Sequence, residues 1–408
     1  MKTVILVSMD YRRPQDGKTS LGVASMTAAL MQAGVPVVTI DEMINDPKFC
    51  RAQVLQRVQH AIEATDSECL VGVGVFVWNE PEVQYLIAHL GARARVQVVL
   101  GGPQISYMPK GGLEQAYPDA DVFVRGQGER AMVQLALGAD VQGCGVHIAD
   151  MPDLGLKADH NLNVLPSPYL EGSIELASEI RWETQRGCPF KCAFCQHREP
   201  GNRLKNQLIG QSRLEQELEL FVKAGVKRIS VLDPIFHANA EHAIPLLYTM
   251  KRLGLKAQLS LQCRFEMVTP AFLDALDGLN VQLEFGLQTV IPQEYRAIGR
   301  PNNMPRVEQV IVELHRRSID FEVSLIYGLP HQTLDSFKAS LDWCERQAVP
   351  RVRAWPLMLL RGTPLYEQKD QFGFVESTDQ RIPIVVASHS FTEVEYQAMA
   401  ALAASKEQ

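Results

Sequence analysis

Three cysteines crowd one loop. Cys188, Cys192 and Cys195 lie in Arg-Gly-Cys-Pro-Phe-Lys-Cys-Ala-Phe-Cys-Gln-His, from Arg186 to His197, with three residues between the first pair and two between the second. Thiolates held this close repel one another, and a soft metal centre relieves the repulsion. Three readings are open to the trio. A zinc ion wants a fourth Cys or His, and His197 is the residue at hand. A 4Fe-4S cluster is satisfied by three thiolates and keeps one iron vacant for a substrate. Otherwise the three thiols are buried apolar groups with no shared role.

The surrounding elements decide how the loop is presented. An extended segment, Ile180–Gln185, leads into it; Gly187 marks its end, and Pro189 keeps the loop from starting as helix. From 180 onward, apolar strand runs alternate with helical stretches. The strand candidates are Ile180–Gln185, Arg228–Leu232, Gln258–Gln262, Val281–Gln288, Phe321–Tyr327 and Val352–Leu357. Parallel barrels carry their active sites at the C-terminal strand ends. Asp233 follows the second strand, Arg264 and Glu266 the third, and Arg361 comes after the sixth. Glu284 and Gln288, four apart on the fourth strand, point to one face. A charge facing a barrel interior is expensive without a polar partner, which singles out this pair for a ligand. Gly328 at the end of the fifth strand leaves room for a close approach. Asp233 also reads as a helix cap, Arg264 as a surface ion pair with Glu266, and Cys263 as core. His197, His237 and His331 lie near strand ends, where a histidine can move a proton, although a lone one is more often structural.

Residues 3 to about 137 alternate in the same way. Strands are expected at Thr3–Ser8, Val37–Ile40, Cys69–Phe76, Val96–Leu100 and Asp121–Val124, and helices at Ser20–Gln32, Pro47–Glu63, Glu80–Leu90 and Glu129–Leu137. Asp46, with Pro47 behind it, reads as the cap of the second helix and Asn79 as that of the third. The pattern predicts a parallel, doubly wound, Rossmann-like sheet with ligands at its C-terminal strand ends. Three of those ends are unusual: Asp10-Tyr11-Arg12-Arg13-Pro14, Gly101-Gly102-Pro103-Gln104 and Arg125-Gly126-Gln127-Gly128-Glu129. Paired glycines admit a flat or anionic ligand close to the backbone, or each loop is only a tight turn. The expected organisation is a first domain over 1–140, a linker over 141–175 rich in Asp, Gly, Pro and Asn, a second domain over 176–370, and a short helical tail over 371–408.

Bulk properties exclude some classes. A chain of 408 residues suggests two or three domains. Its net charge of -7 argues against general affinity for nucleic acid or anionic membrane. The N-terminal apolar run is too short for a secretory core, and no run approaches the ~18 apolar residues that span a bilayer. Eight cysteines in so long a chain make no disulfide framework, so a soluble, cytoplasmic protein is expected.

The cysteine loop resembles the C-x3-C-x-aromatic-C signature of the radical SAM superfamily, with Phe194 in the aromatic position. The resemblance continues to about residue 366, through Asp233-Pro234-Ile235-Phe236, Glu284-Phe285-Gly286-Leu287-Gln288-Thr289, Ser324–Pro330 and Trp355–Pro364. It implies an α/β fold with an open, partial (β/α)6 TIM-type barrel, a 4Fe-4S cluster on Cys188, Cys192 and Cys195, and S-adenosylmethionine (SAM) bound near Phe194, Asp233, Arg264, Glu284, Gln288, Ile326, Gly328 and Leu357. Glu284 and Gln288 would meet the ribose and the amino group, and Leu357 the adenine through its backbone. Residues 1–150 resemble the cobalamin-binding domain of class B members, through Leu21-Gly22-Val23-Ala24, Gly101-Gly102 and Gly126-Gln127-Gly128-Glu129. That implies cobalamin against Tyr11, Arg12, Gly101, Gly102, Gln104, Gly126, Gly128 and Glu129. No Asp-x-His-x-x-Gly occurs, so no histidine is placed to bind cobalt from below.

The resemblance further implies an enzyme that cleaves SAM reductively and functionalises an unactivated position of a small-molecule or peptide substrate, by cobalamin-dependent methyl transfer. Its electrons would come from a flavodoxin or ferredoxin. Without cobalamin it implies a rearrangement, a bond formation or transfer of SAM's aminocarboxypropyl arm. The rival class is a non-enzymatic cluster or corrin sensor, which would need an output module that the sequence does not show.

Overall fold

A computed structural model describes residues 1–12, 20–90, 95–158, 161–199, 202–203, 206–378 and 382–406, so Arg13 and Pro14 lie outside the described residues. The chain divides into two compact units, Met1–Ala177 and Ser178–Gln408.

In the first unit the apolar runs pair as β1 (Thr3–Asp10), β2 (Val37–Met43), β3 (Cys69–Gly74), β4 (Val96–Gly101) and β5 (Val122–Val124), in the order β2-β1-β3-β4-β5. These five are parallel, and β6 (Val146–Ile148) adds antiparallel to β5. The period of two along β1 feeds a core on each face. Ile5, Val7 and Met9 pack with the helices Arg51–Glu63 and Glu80–Leu90, while Val4 and Leu6 pack with Leu21–Gln32 and Glu129–Leu137. The winding reverses between β1 and β3, and the crevice at such a switch point is where sheets of this order bind ligands.

Two expected caps are corrected. The second helix starts at Arg51 rather than Pro47, and Asp46 instead accepts the N–H of Lys48 at 2.8 Å within a turn. Asn79 makes no side-chain cap. Its Oδ1 accepts from the N–H of Phe76 at 2.8 Å, and its Nδ2 donates to Met9 O at 3.1 Å and Gly74 O at 3.0 Å. It therefore lashes the ends of β1 and β3 together.

The stretch 141–175, expected as a linker, forms β6 and packs on the first unit. Arg125, buried, donates to the carbonyls of Ile105 and Met108 at 3.0 and 2.6 Å and pairs with Asp153 at 2.8 Å. Burial pushes the Asp153 carboxyl up, but hydrogen bonds from Gly111, Gly155 and Arg125 outweigh it and leave the group below its ordinary value. Asp153→Ala strands a buried guanidinium, so the unfolding free energy should fall by about 3–5 kcal/mol. In the wild type, the same pair contributes stability above the ordinary carboxyl value and loses it as pH drops through the depressed folded one. Denaturant titration checks both; an Asp153→Ala midpoint equal to wild type would reject the pair as a fastener.

The second unit is one parallel sheet whose strands follow sequence order: β7 (Glu179–Trp182), β8 (Arg228–Val231), β9 (Gln258–Cys263), β10 (Val281–Gln288), β11 (Asp320–Tyr327) and β12 (Arg351–Pro356). It stays open between β7 and β12, a six-stranded partial barrel. Along β10, Leu283, Phe285 and Leu287 are buried, with Phe285 stacked on Phe265 at 4.0 Å, while Glu284, Gly286 and Gln288 are half-exposed. The tail 371–408 packs on this unit. Val385 donates to Leu357 O at 2.9 Å, and the helix Glu393–Ser405 opens on a capping box between Thr392 and Glu395.

Candidate active site

The cysteine loop is pinned along its length. At its base Gln185–Arg186 pairs antiparallel with Gln207–Leu208, and Gly187 turns the chain at φ +94°. Further on, Ala193 donates to Ile298 O at 2.8 Å and accepts from Leu365 N at 3.1 Å, and Gln196 Nε2 reaches Arg361 O at 2.9 Å. Cys188 and Cys192 are buried and Cys195 is half-buried. Cys195 Sγ accepts from the N–H of His197 at 3.4 Å, and Cys192 Sγ from Nη1 of Arg300 at 3.6 Å. Donors aimed at sulfur suit thiolates that ligate a metal. Burial pushes the Cys195 thiol up to about 11 and raises the Cys188 thiol as well, so a metal must displace protons to bind here. Among the described residues, no three His, Cys, Asp or Glu side chains converge on one ion position. Three soft thiols in one loop, two of them with N–H donors on sulfur, fit an iron–sulfur cluster.

Two expected ligand contacts turn out to support this loop. Asp233 is completely buried and spent on the chain itself. Its carboxylate accepts from Thr184 N at 2.8 Å, Gln185 N at 3.2 Å and Gln185 Nε2 at 3.4 Å, and also from the Thr184 hydroxyl. It caps no helix; it holds the stem of the loop. Arg264 carries its guanidinium 3.8 Å from the centre of the Phe190 ring and pairs with Glu266 at 3.0 Å. The expected ion pair exists, but with Arg264 buried rather than at the surface.

Glu284 and Gln288 do share the half-exposed face of β10. Glu284 accepts from Ser260 Oγ and Gln262 Nε2, and stands directly opposite Glu322 on β11. Gln288 takes φ +71° where the pairing with β11 shifts, and its amide lies over Gly286, whose added Cβ would sit 2.6 Å from Gln288 Nε2. Phe194 and Ile326 are half-buried. Gly328, at φ +89°, faces the chain's own tail, since a Cβ there would meet Val385 O at 3.4 Å and Leu357 Cβ at 3.5 Å. The Leu357 backbone, expected against adenine, is paired on both sides, donating to Tyr327 O and accepting from Val385 N, each at 2.9 Å.

Sequence reasoning missed the residues that hold these strand ends together. Gln332, fully buried, accepts from Gly328 N at 2.7 Å and Leu329 N at 3.2 Å, and donates to Ile326 O at 3.1 Å and Glu294 at 3.2 Å. Glu294 also accepts from Thr289 Oγ1 at 2.6 Å and from the Ser336 hydroxyl, tying β10 to β11. Of the three histidines, His237 stacks on Phe272 and is held down at about 4 by burial, which suits packing rather than proton transfer near neutrality. His331 lies edge-on to Phe372, and His197 is exposed.

In the first unit most of the expected ligand residues are engaged by the chain. Tyr11 is exposed, but Arg12 pairs with Asp41 at 2.7 Å and exchanges two hydrogen bonds with Asn45, and Gln104 donates to Glu80 at 2.6 Å. Glu129 is buried at the start of its helix. Gly102 (φ +90°) and Gly126 (φ +84°) do allow a close approach, to the chain's own backbone. An added Cβ would lie 2.7 Å from Val75 O and 2.6 Å from Ala158 O respectively, whereas Gly101 and Gly128 meet only ordinary contacts at 3.7 and 3.5 Å. Gly126→Ala should therefore cost on the order of 3 kcal/mol of stability in protein free of any corrin. A variant that melts like wild type yet binds no corrin would return Gly126 to the ligand. At the switch point Phe76 and Trp78 stack with ring centres 4.6 Å apart, and the buried Trp78 Nε1 has no partner among the described residues. A buried indole N–H normally finds an acceptor, so a flat surface with an unpaired donor at this end fits a large planar ligand.

Comparison with known proteins agrees with both halves. The B12 binding domain model matches residues 17–136, and the Radical SAM superfamily model matches residues 182–344. An uncharacterized methyltransferase, PH0819, of Pyrococcus horikoshii is 24% identical over 67% of this chain and 62% of its own length. The cobalamin-dependent radical SAM methyltransferase TokK of Streptomyces tokunonensis is 26% identical over 80% of this chain and 52% of its own length. The chain thus spans between half and two thirds of these two relatives. The structure of the radical SAM methyltransferase TsrM from Kitasatospora setae, with cobalamin and a [4Fe-4S] cluster bound, superposes with TM-score 0.75 at 18% identity, covering 99% of this chain and 91% of that one. At that identity the likeness speaks for the fold.

Proposed function

We propose that this chain, which belongs to the radical SAM superfamily and carries a B12-binding domain ahead of its radical core, transfers a methyl group from SAM to an unactivated position of a small-molecule or peptide substrate, with cobalamin as carrier. One observation carries the reading: a loop of three cysteines, with N–H donors on two of its sulfurs, in the same chain as a B12-binding sheet whose switch point bears a buried indole N–H unpaired among the described residues. When bound, the cluster supplies the electron that cleaves SAM, and the corrin carries the methyl group.

The chain's own residues do the rest. Cys188, Cys192 and Cys195 hold iron, while Asp233, Thr184 and Arg264 keep the loop in place. Gln332 and Glu294 fix the strand ends over which SAM would lie. Phe194, Glu284, Gln288 and Ile326 keep half-exposed side chains for SAM, whereas Asp233, Gly328 and Leu357 are engaged by the chain itself and hold the strand ends in shape. Tyr11, Gly101, Gly128 and Trp78 are the corresponding surface for cobalamin. A flavodoxin or ferredoxin as electron donor, and a reducing cytoplasm, suit eight cysteines of which none is in a disulfide.

The test is anaerobic. Protein produced with cobalamin should show corrin absorbance and, with reductant and SAM, release SAM fragments. Full turnover by corrin-free protein would reject the carrier. Persistent absence of any SAM fragment would reject the enzyme.

A further inference from the structure

We propose that Asn302 is a positioning residue for SAM, holding Gln288 in a left-handed kink that sets its amide at the end of β10. The inference rests on the reading above that SAM lies over these strand ends and meets Gln288. Gln288 has φ +71°. The other non-glycine residues with positive φ among the described residues, Asp150, Ser318, His331 and Ala348, all lie in turns, whereas Gln288 belongs to a strand. The kink shows in the pairing with β11. Gly286 stands opposite Ser324 but Gln288 opposite Leu325, one residue short of the regular register.

A left-handed backbone is strained for a residue with a long side chain, and glycine would adopt it freely. A glutamine kept there points to a use for its side chain. Two devices hold it. Nδ2 of Asn302 donates to Leu287 O at 3.0 Å and to Thr289 O at 2.9 Å, so one amide clamps the carbonyls on both sides of Gln288. Asn302 is in turn fixed by its neighbours: Pro301 O accepts from Arg264 Nη2 at 3.4 Å, and Asn303 caps the helix Met304–Arg316. The second device is Gly286. It leaves the space that the Gln288 amide takes, since a Cβ there would lie 2.6 Å from Gln288 Nε2. Thr289, fully buried and bonded to Glu294 at 2.6 Å, anchors the chain just past the kink. The amide is therefore set in one orientation, half-exposed on the face of β10 that it shares with Glu284, and SAM binding does not have to order it.

The experiment uses anaerobically reconstituted protein made with cobalamin. SAM binding is measured by equilibrium dialysis without reductant, and denaturant midpoints are taken on the same samples. Asn302→Ala should bind SAM about tenfold more weakly than wild type. Gln288→Gly should lose about as much affinity, yet unfold at the wild-type midpoint or above it, because the strain is gone. In the Gln288→Gly background, adding Asn302→Ala should cost no further affinity. A merely structural Asn302 would weaken SAM binding equally in both backgrounds, and that result overturns the proposal. So does an Asn302→Ala or a Gln288→Gly protein with the wild-type dissociation constant. Should Asn302→Ala not fold, Asn302→Ser, which keeps one donor, decides: weaker binding that disappears as an effect in the Gln288→Gly background supports the proposal, and wild-type binding overturns it. Wild-type protein that holds its iron but binds no SAM removes the underlying reading, a failure visible before any variant is compared.

Discussion

Cys192→Ala protein, reconstituted anaerobically, is expected to hold almost no iron and to turn over SAM on the order of 10⁶-fold more slowly than wild type, or below detection. Cys192 is the middle and most buried of the three thiols and the one that Arg300 contacts. Two thiolates cannot keep a cluster that already leaves one iron without a protein ligand. The chemistry belongs to the cofactor, so almost nothing is left when it goes. The fold should survive, because the loop is anchored by the backbone of Ala193 and the side-chain amide of Gln196, not by the thiol. Cys344→Ala is the control, a buried cysteine in the helix Leu334–Arg346 that should keep its iron. Iron content and turnover unmoved in Cys192→Ala, or zinc in the wild-type protein, would sink the cluster reading.

The elements were legible because their signals are local. The spacing of apolar residues predicts β10 at Val281–Gln288 and the helices Glu80–Leu90 and Glu129–Leu137 with the bounds they have in the structure. The trio of cysteines needed only the spacing within one loop. The second helix shows where local reading fails. Asp-Pro at 46–47 is a good start signal, but Asp46 closes a turn with Lys48 and the helix waits until Arg51.

The destinations of polar side chains were less legible, since each depends on a partner far along the chain. Arg300 carries no local signal, and its partner Cys192 lies 108 positions earlier. Gln332 drew no reading from the sequence, yet it is wholly buried on the backbone of Gly328 and on Glu294. The glycines mislead in the opposite sense. Gly102 and Gly126 were read as making room for a ligand, and the space is taken by Val75 and Ala158. In each case the residue type announced a need, for a counter-charge, an acceptor or a close approach, and only the fold showed what met it.

Asp233 gives the sharpest consequence of such a hidden partner. Asp233→Ala would leave the N–H groups of Thr184 and Gln185 buried with no acceptor, at about 1–3 kcal/mol each, so the second unit should lose roughly 3–5 kcal/mol. The loss falls on the stem of the cysteine loop, so cluster content should drop with it. Burial also pushes the Asp233 carboxyl up to about 7, against the hydrogen bonds from Thr184 and Gln185. A folded value above the unfolded one means that the native state binds the proton more tightly. Its contribution to stability is therefore present in full below the ordinary carboxyl value, falls as pH rises from about 4 towards about 7, and is flat beyond. Asp233→Asn still offers an oxygen to the two N–H groups but cannot titrate. It should keep most of the stability and lose that slope. Denaturant midpoints of the wild-type and Asp233→Asn proteins across this range decide the matter: parallel profiles would show that Asp233 does not change its protonation on folding, and an Asp233→Ala protein as stable as wild type would show that it does not hold the stem.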